Sequence, residues 1–278
     1  MKKLLLAVSA MAALSGTAFA ADMAPAPAYT KAPVMPAPVY NWTGCYAGGG
    51  GGYGLWDQNN TNFDDTTSPR LQLTATNSAG GRGYFGTVQA GCDYQFGAWG
   101  HQFVIGGFGD FDADSLKGTH ETAFFINQRL GFGSATADER MNSSWAIGGR
   151  VGWLVTPSFL TYFSAGYTQA SFGSQTFFVN TPTGLPPGGT PLGFSLGKAT
   201  YNGYFLGAGD EYALGFLPGL FWKTEYRLSS YNTKTLPFLN TTTGAPTGLS
   251  DDARKWVQTV RTELVYRFNW GGPLVTKY

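Results

Sequence analysis

Three short stretches hold residue types that could do chemistry. AGGGGGYG, Ala47 to Gly54, has the glycine density of a phosphate-cradling loop, whose backbone N–H groups must approach an anion closely. It lacks the closing G-K-[ST] and any helical pattern behind it, so small residues permitting close backbone approach in a first strand are the better reading. Of the two histidines, His101 falls in a short turn and His120 in a long connection. Neither stands in H-x-E, H-x-x-x-H or Cys/His spacing, which leaves no dedicated metal site. Ser115 and His120 supply a nucleophile and a base by type, but at no recognisable spacing, and the chain reads as a non-enzyme. The third stretch is VRTELVYRF, Val260 to Phe268, where Arg261, Glu263 and Arg267 alternate with Val260, Thr262, Leu264, Tyr266 and Phe268.

That alternation has the period of a strand, whose side chains point to opposite faces in turn. TVQAGCDYQF repeats it, with Val88, Ala90, Cys92, Tyr94 and Phe96 against Gln89, Asp93 and Gln95, and so does WKTEYRL, with Trp222, Tyr226 and Leu228 against Lys223, Glu225 and Arg227. Period alone leaves open which face meets solvent. The eight tryptophans decide it, since all fall near or just beyond the ends of predicted strands, where amphipathic rings favour a lipid headgroup region. Trp145 and Trp153 share a face and stand about 26 Å apart along one strand, comparable after tilt with the apolar band of a membrane barrel. Trp42, Trp56, Trp145, Trp153, Trp222 and Trp256 are therefore assigned to an aromatic girdle. With grease toward lipid, the charged face fills the lumen: Asp93, Asp110, Arg150, Glu211, Lys223, Glu225, Arg227, Arg261 and Glu263, joined by Gln89, Asp112 and Arg267. Both signs are present, so these charges should pair and hold the barrel closed.

The surrounding elements fit. MKKLLLAVSAMAALSGTAFA, residues 1–20, has the basic start, apolar run and A-x-A site of a cleaved secretory signal. Residues 21–40 form a Pro/Ala tract, expected to be an extended periplasmic linker, or more sharply a binding arm for peptidoglycan or another partner. Eighteen basic residues, two of them in the signal, face seventeen acidic ones, so no field of one sign recruits nucleic acid. Charged residues are only 13% of the chain. After the signal no apolar run is long enough for a transmembrane helix, which still permits a membrane β-barrel. Eight strands are predicted, at Trp42–Trp56, Tyr84–Phe96, Phe103–Asp112, Ser144–Leu154, Phe159–Phe172, Thr200–Ala213, Gly219–Tyr231 and Trp256–Phe268. Short turns at 97–102, 155–158 and 214–218 alternate with long connections at 57–83, 113–143, 173–199 and 232–255. The expected fold is all-β: a transmembrane up-and-down antiparallel barrel over 41–268, with short periplasmic turns, long extracellular loops and a tail over 269–278. Eight strands leave a lumen that side chains fill. Cys45 and Cys92 lie on neighbouring strands with the same parity, and a disulfide or two free lipid-facing thiols are both open.

NWTGCYAGGGGGYG, VQAGCDYQF, WAIGGRVGW, FLGAGDEYAL, KTEYRL and the ending VYRFNWGGPLVTKY together resemble the small porin-like outer-membrane proteins of alphaproteobacteria, often labelled outer-membrane immunogenic proteins. The resemblance implies an eight-stranded barrel in the cell outer membrane, with structural, envelope-integrity and host-contact roles. Its partners would be outer-membrane lipid and lipopolysaccharide, the outer-membrane assembly machinery reading either the internal strand with Tyr266 and Phe268 or Tyr278, and host molecules. Some relatives bind haem, for which His120 with Phe124 and Phe125 is the candidate here; otherwise no cofactor is expected. A small-solute porin and a haem or host-ligand receptor acting through its loops are the alternatives to a structural role.

Overall fold

The computed structural model describes residues 40–127, 131–179 and 190–268. The signal, the Pro/Ala tract before Tyr40, Trp270 and the tail over 269–278 lie outside the described residues. The described chain is all strand and turn: β1 (Gly44–Asp64), β2 (Leu71–Gln72), β3 (Asn77–Ala98), β4 (His101–Asn127), β5 (Gly131–Thr156), β6 (Phe159–Phe172), β7 (Gln175–Val179), β8 (Thr190–Leu196), β9 (Ala199–Ala213), β10 (Leu220–Tyr231), β11 (Lys234–Asn240) and β12 (Pro246–Phe268).

Every pairing is antiparallel, and β1, β3, β4, β5, β6, β9, β10 and β12 make a closed ring of eight. The seam is β1 against β12, registered from Cys45 opposite Phe268 to Asp64 opposite Leu249. Closure leaves the main ring with no unpaired edge, the condition for placing a sheet in hydrocarbon. At one end the connections are tight. Trp99 and Gly100 both take positive φ between Ala98 and His101, the two-residue hairpin whose twist suits antiparallel strands.

The alternation read from sequence sets the two faces. Along β12, Arg261, Glu263 and Arg267 are buried while Val260, Leu264, Tyr266 and Phe268 are exposed. Exposed Val88, Tyr94, Ile105, Ile147, Val151, Phe163 and Leu206 continue the outer apolar belt round the ring. The glycines of β1 make room for what the other strands send inward. A Cβ on Gly52 would stand 2.2 Å from the carbonyl oxygen of Val260 and 2.5 Å from the Phe85 ring, and one on Gly50 would stand 2.0 Å from the carbonyl of Thr262. AGGGGGYG is thus a thin stretch of wall behind a crowded lumen.

Beyond the belt the structure departs from the sequence reading. The connections expected at 57–83, 113–143, 173–199 and 232–255 are largely strand. β6, β9 and β10 stop at Phe172, Ala199 and Tyr231, and after two-residue breaks β7, β8 and β11 take over their course. Pairings β5–β7, β7–β8, β8–β11 and β11–β12 then complete a second ring with the upper parts of β1, β3, β4, β5 and β12. The physical reason is on the outer face: Asp57, Arg82, Lys117, Asp138, Arg140 and Arg254 are exposed where the lower half carries apolar side chains. Strands with polar residues on both faces give no apolar period to recognise.

The barrel interior as candidate functional site

The lumen is filled in layers, each set by which residues the even or odd parity of a strand turns inward. At the tight-turn end Trp42 lies across the mouth, its ring 4.8 Å from that of Phe221. Its Nε1 donates to the Pro157 carbonyl at 3.1 Å, and its backbone N–H donates to Gln95 Oε1 at 3.0 Å.

Above it two arginines and two carboxylates alternate. Arg150 donates from Nε to Asp93 Oδ1 at 3.0 Å, from Nη2 to Asp93 Oδ2, and from Nη1 to Glu211 Oε2 at 3.0 Å. Arg267 reaches the same pair, at 2.7 Å to Asp93 and 2.6 Å to Glu211, and donates to the Trp42 carbonyl at 3.1 Å. Tyr46 lies between the guanidinium groups, its ring 4.7 Å from Arg150 and 4.9 Å from Arg267. Further in, Arg227 binds Asp110 through two parallel bonds of 3.0 and 2.9 Å and Glu225 through Nε at 2.9 Å. Lys223 donates to Gln89 at 2.7 Å and stands 3.4 Å from Glu225 and 3.9 Å from Glu263. Arg261 joins Asp112 at 2.9 Å. Tyr162 donates its hydroxyl to Glu225 at 2.8 Å. Removing a charge from water costs several kcal/mol, which planar, two-pronged arginine–carboxylate pairing largely offsets. The space left among Asp110, Asp112, Arg227 and Arg261 is a cavity of about 10 Å³, room for one water.

The structure therefore brings together Asp93, Asp110, Arg150, Glu211, Lys223, Glu225, Arg227, Arg261 and Glu263 inside the ring. It divides the tryptophans. Trp145, Trp153 and Trp222 are exposed on the outer wall, and Trp256 is half-buried there beneath the Arg254 guanidinium, 4.9 Å away. Trp42 and Trp56 do not belong to the girdle: they are 0% and 1% exposed and face the lumen. Trp56 shares the inward parity of Gly50 and Gly52, and Trp42 precedes β1 where the chain folds over the mouth, so parity and chain path override nearness to a strand end. Cys45 and Cys92 occupy directly paired positions on β1 and β3 and are joined as a disulfide on the outer wall, near the tight-turn end.

Over the charged layers Trp56, Phe85, Leu116, Phe172, Tyr201, Tyr231 and Val257 form an apolar plug, with Trp56 to Phe172 at 5.8 Å and Phe172 to Tyr201 at 5.5 Å. The upper ring then holds a polar chamber that sequence reading missed. Lys255 Nζ contacts Glu139 at 2.5 Å and Gln58, and lies 4.3 Å from the Phe172 ring. His120 is not on a loop surface. It is buried, with Nδ1 donating to Gln175 Oε1 at 2.6 Å and Nε2 accepting from Asn60 Nδ2 at 2.8 Å, the neutral tautomer. Burial holds its pKa below the usual histidine value, with Lys255 adding to the shift and Glu139 and Gln175 opposing it. Burial also pushes Asp251 up to about 7. Gln58 and Asn60 on β1, and Ala137 and Glu139 on β5, keep inward parity through the expected connections, and that parity is the signal the sequence offers.

Two sequence candidates separate. Ser115 is exposed and His120 buried on opposite faces of β4, so they form no catalytic pair. With both ring nitrogens engaged, His120 offers no free position to an iron, and the side chains of Phe124 and Phe125 lie outside the described residues. Among the described residues no cluster of His, Cys, Asp and Glu is arranged to hold a metal.

No family model matches the chain. It is 26% identical over 217 residues to the 31 kDa outer-membrane immunogenic protein of Brucella melitensis, covering 77% of this chain and 81% of that one, and equally similar to its counterpart in Brucella suis. Among solved structures, the outer-membrane protease OmpT of Escherichia coli aligns at TM-score 0.43 and 10% identity, over 82% of this chain and 98% of its own. Neisserial surface protein A aligns at TM-score 0.30 and 13% identity, over 80% and 99%. A closed eight-stranded ring, an apolar outer belt and a relative of this kind make the chain an outer-membrane β-barrel protein similar to the outer-membrane immunogenic proteins of Brucella.

Proposed function

We propose that this protein is a non-enzymatic structural and surface element of the outer membrane, carrying no solute through its lumen. The observation supporting this reading is the layered interior: Trp42 with Phe221, the paired charges from Asp93 to Asp112, and the plug around Trp56 and Phe172 stand in series along one narrow axis. A pore would need each layer displaced, at the cost of breaking buried ion pairs and exposing packed aromatics. The work of the molecule is then architectural: a wall that resists deformation and a second ring held outside the bilayer as the surface met by antibodies and host molecules.

Planar-bilayer recording of the folded protein tests it. The expected trace shows no steady unitary conductance in molar salt. Reproducible open steps, made larger or more frequent by Trp42→Ala, would establish the small-solute porin instead.

A further inference from the structure

The outer wall carries a feature that neither the plugged lumen nor the surface role employs. Arg82 on β3 stands directly opposite Lys117 on β4, and Lys117 directly opposite Arg140 on β5. All three side chains are exposed on the outer face. Like charges placed opposite one another destabilise a sheet unless something else compensates. No carboxylate within the described residues does so: none of the three takes part in an ion pair there, and Asp57 and Asp138 stand one outward position higher, opposite Gly80 and Thr119. Arg140 instead turns toward the belt and donates to Ser115 at 3.3 Å.

The level of the row identifies the missing anion. Tyr84, the outward residue just below Arg82, packs edge-on against Tyr53 at 5.0 Å, and Phe111 and Trp145 mark the top of the apolar belt on β4 and β5. Tyrosine and tryptophan rings sit where acyl chains give way to headgroups, and Arg82 and Lys117 stand one outward position, about 6.6 Å of strand, above Tyr84 and its paired residue Ser115, which is headgroup depth. The row crosses two strand spacings, about 10 Å, wider than one phosphate can bridge. The geometry points to a binding site on the wall formed by Arg82, Lys117 and Arg140 for a membrane lipid whose headgroup bears two phosphates. The acyl chains of that lipid lie along Tyr84 and Phe111, and its phosphates receive charge-assisted hydrogen bonds from the three cations. The site rests on the outer-membrane placement of the barrel and not on the plugged-lumen reading.

The test uses the folded full chain in nanodiscs doped with diphosphoryl lipid A, monophosphoryl lipid A or phosphatidylethanolamine as probes, with bound lipid counted by native mass spectrometry. The protein is expected to retain the diphosphoryl form over the other two. The variant Arg82→Gln, Lys117→Gln, Arg140→Gln is expected to lose that preference by about 100-fold, the combined effect of three headgroup-level cations. Heat-modifiable gel mobility verifies that the variant is folded; should it fail to fold, Lys117→Gln alone is expected to lose about 5-fold. Equal retention by a folded variant overturns the site. So does free pyrophosphate binding as tightly as the lipid, which would mark a soluble-anion site, and a silent bilayer trace alongside either result leaves the architectural reading standing.

Discussion

His120 shows what a single side chain contributes. Its imidazole is useful to the upper ring only while neutral, because Nε2 must accept from Asn60 while Nδ1 donates to Gln175. The unfolded chain takes up this proton near pH 6.5 and the folded one only at lower pH, since burial disfavours the cation. Below pH 6.5 the unfolded state therefore holds more of this one proton, and the stability that His120 contributes falls as the solution is acidified, at a slope of up to about 1.4 kcal/mol per pH unit for one group. His120→Gln, which cannot titrate, is expected to flatten the fall in melting temperature between pH 7.5 and 5.5 by semi-native gel. An identical fall in both proteins would show that the ring nitrogens are not confined in this way.

Among the elements, β1 is the thin wall and β12 its seam partner. Gly52 lies where a side chain would meet both the Val260 carbonyl on the seam and the ring of Phe85, its directly paired neighbour on β3. Gly52→Val is expected to cost at least ~3 kcal/mol, the upper range for overpacking, and to abolish the heat-modifiable band in freshly assembled membranes. A normal band would mean that β1 yields without penalty. The same strand shows what could be read from residue order. From Trp42 to Trp56 the apolar and small residues announced a strand, and the inward set Asp93, Arg150, Lys223, Glu225, Arg261 and Glu263 was legible because charge alternated with grease on neighbouring strands. Past Trp56 the outward positions become Asp57 and Asn59, so both faces are polar and the strand merges with what a loop would look like. Trp42 and Trp56 were misplaced for the related reason that a ring near a strand end suits either a girdle or a plug, and only parity distinguishes them.

At the scale of the whole molecule two stacked rings share one wall. The lower ring is bounded outside by apolar residues, the upper by Asp57, Arg82, Lys117, Arg140 and Arg254, and each has its own buried cluster. Four structureless loops would exchange their amide hydrogens within seconds. The second ring instead predicts that, across 116–121 and 134–141, the amides directed into the β4–β5 ladder stay protected for hours in hydrogen-exchange mass spectrometry. Immediate exchange of those peptides would remove the upper ring from the solution structure.

The seam carries a consequence for biogenesis. β1 finds one of its two neighbours in β12, the last strand of the described chain, so the edge of β1 stays open while all the strands between are being delivered. An open edge in a crowded periplasm invites pairing with a stranger. Shutting the circle between β1 and β12 is the step that removes this last open edge.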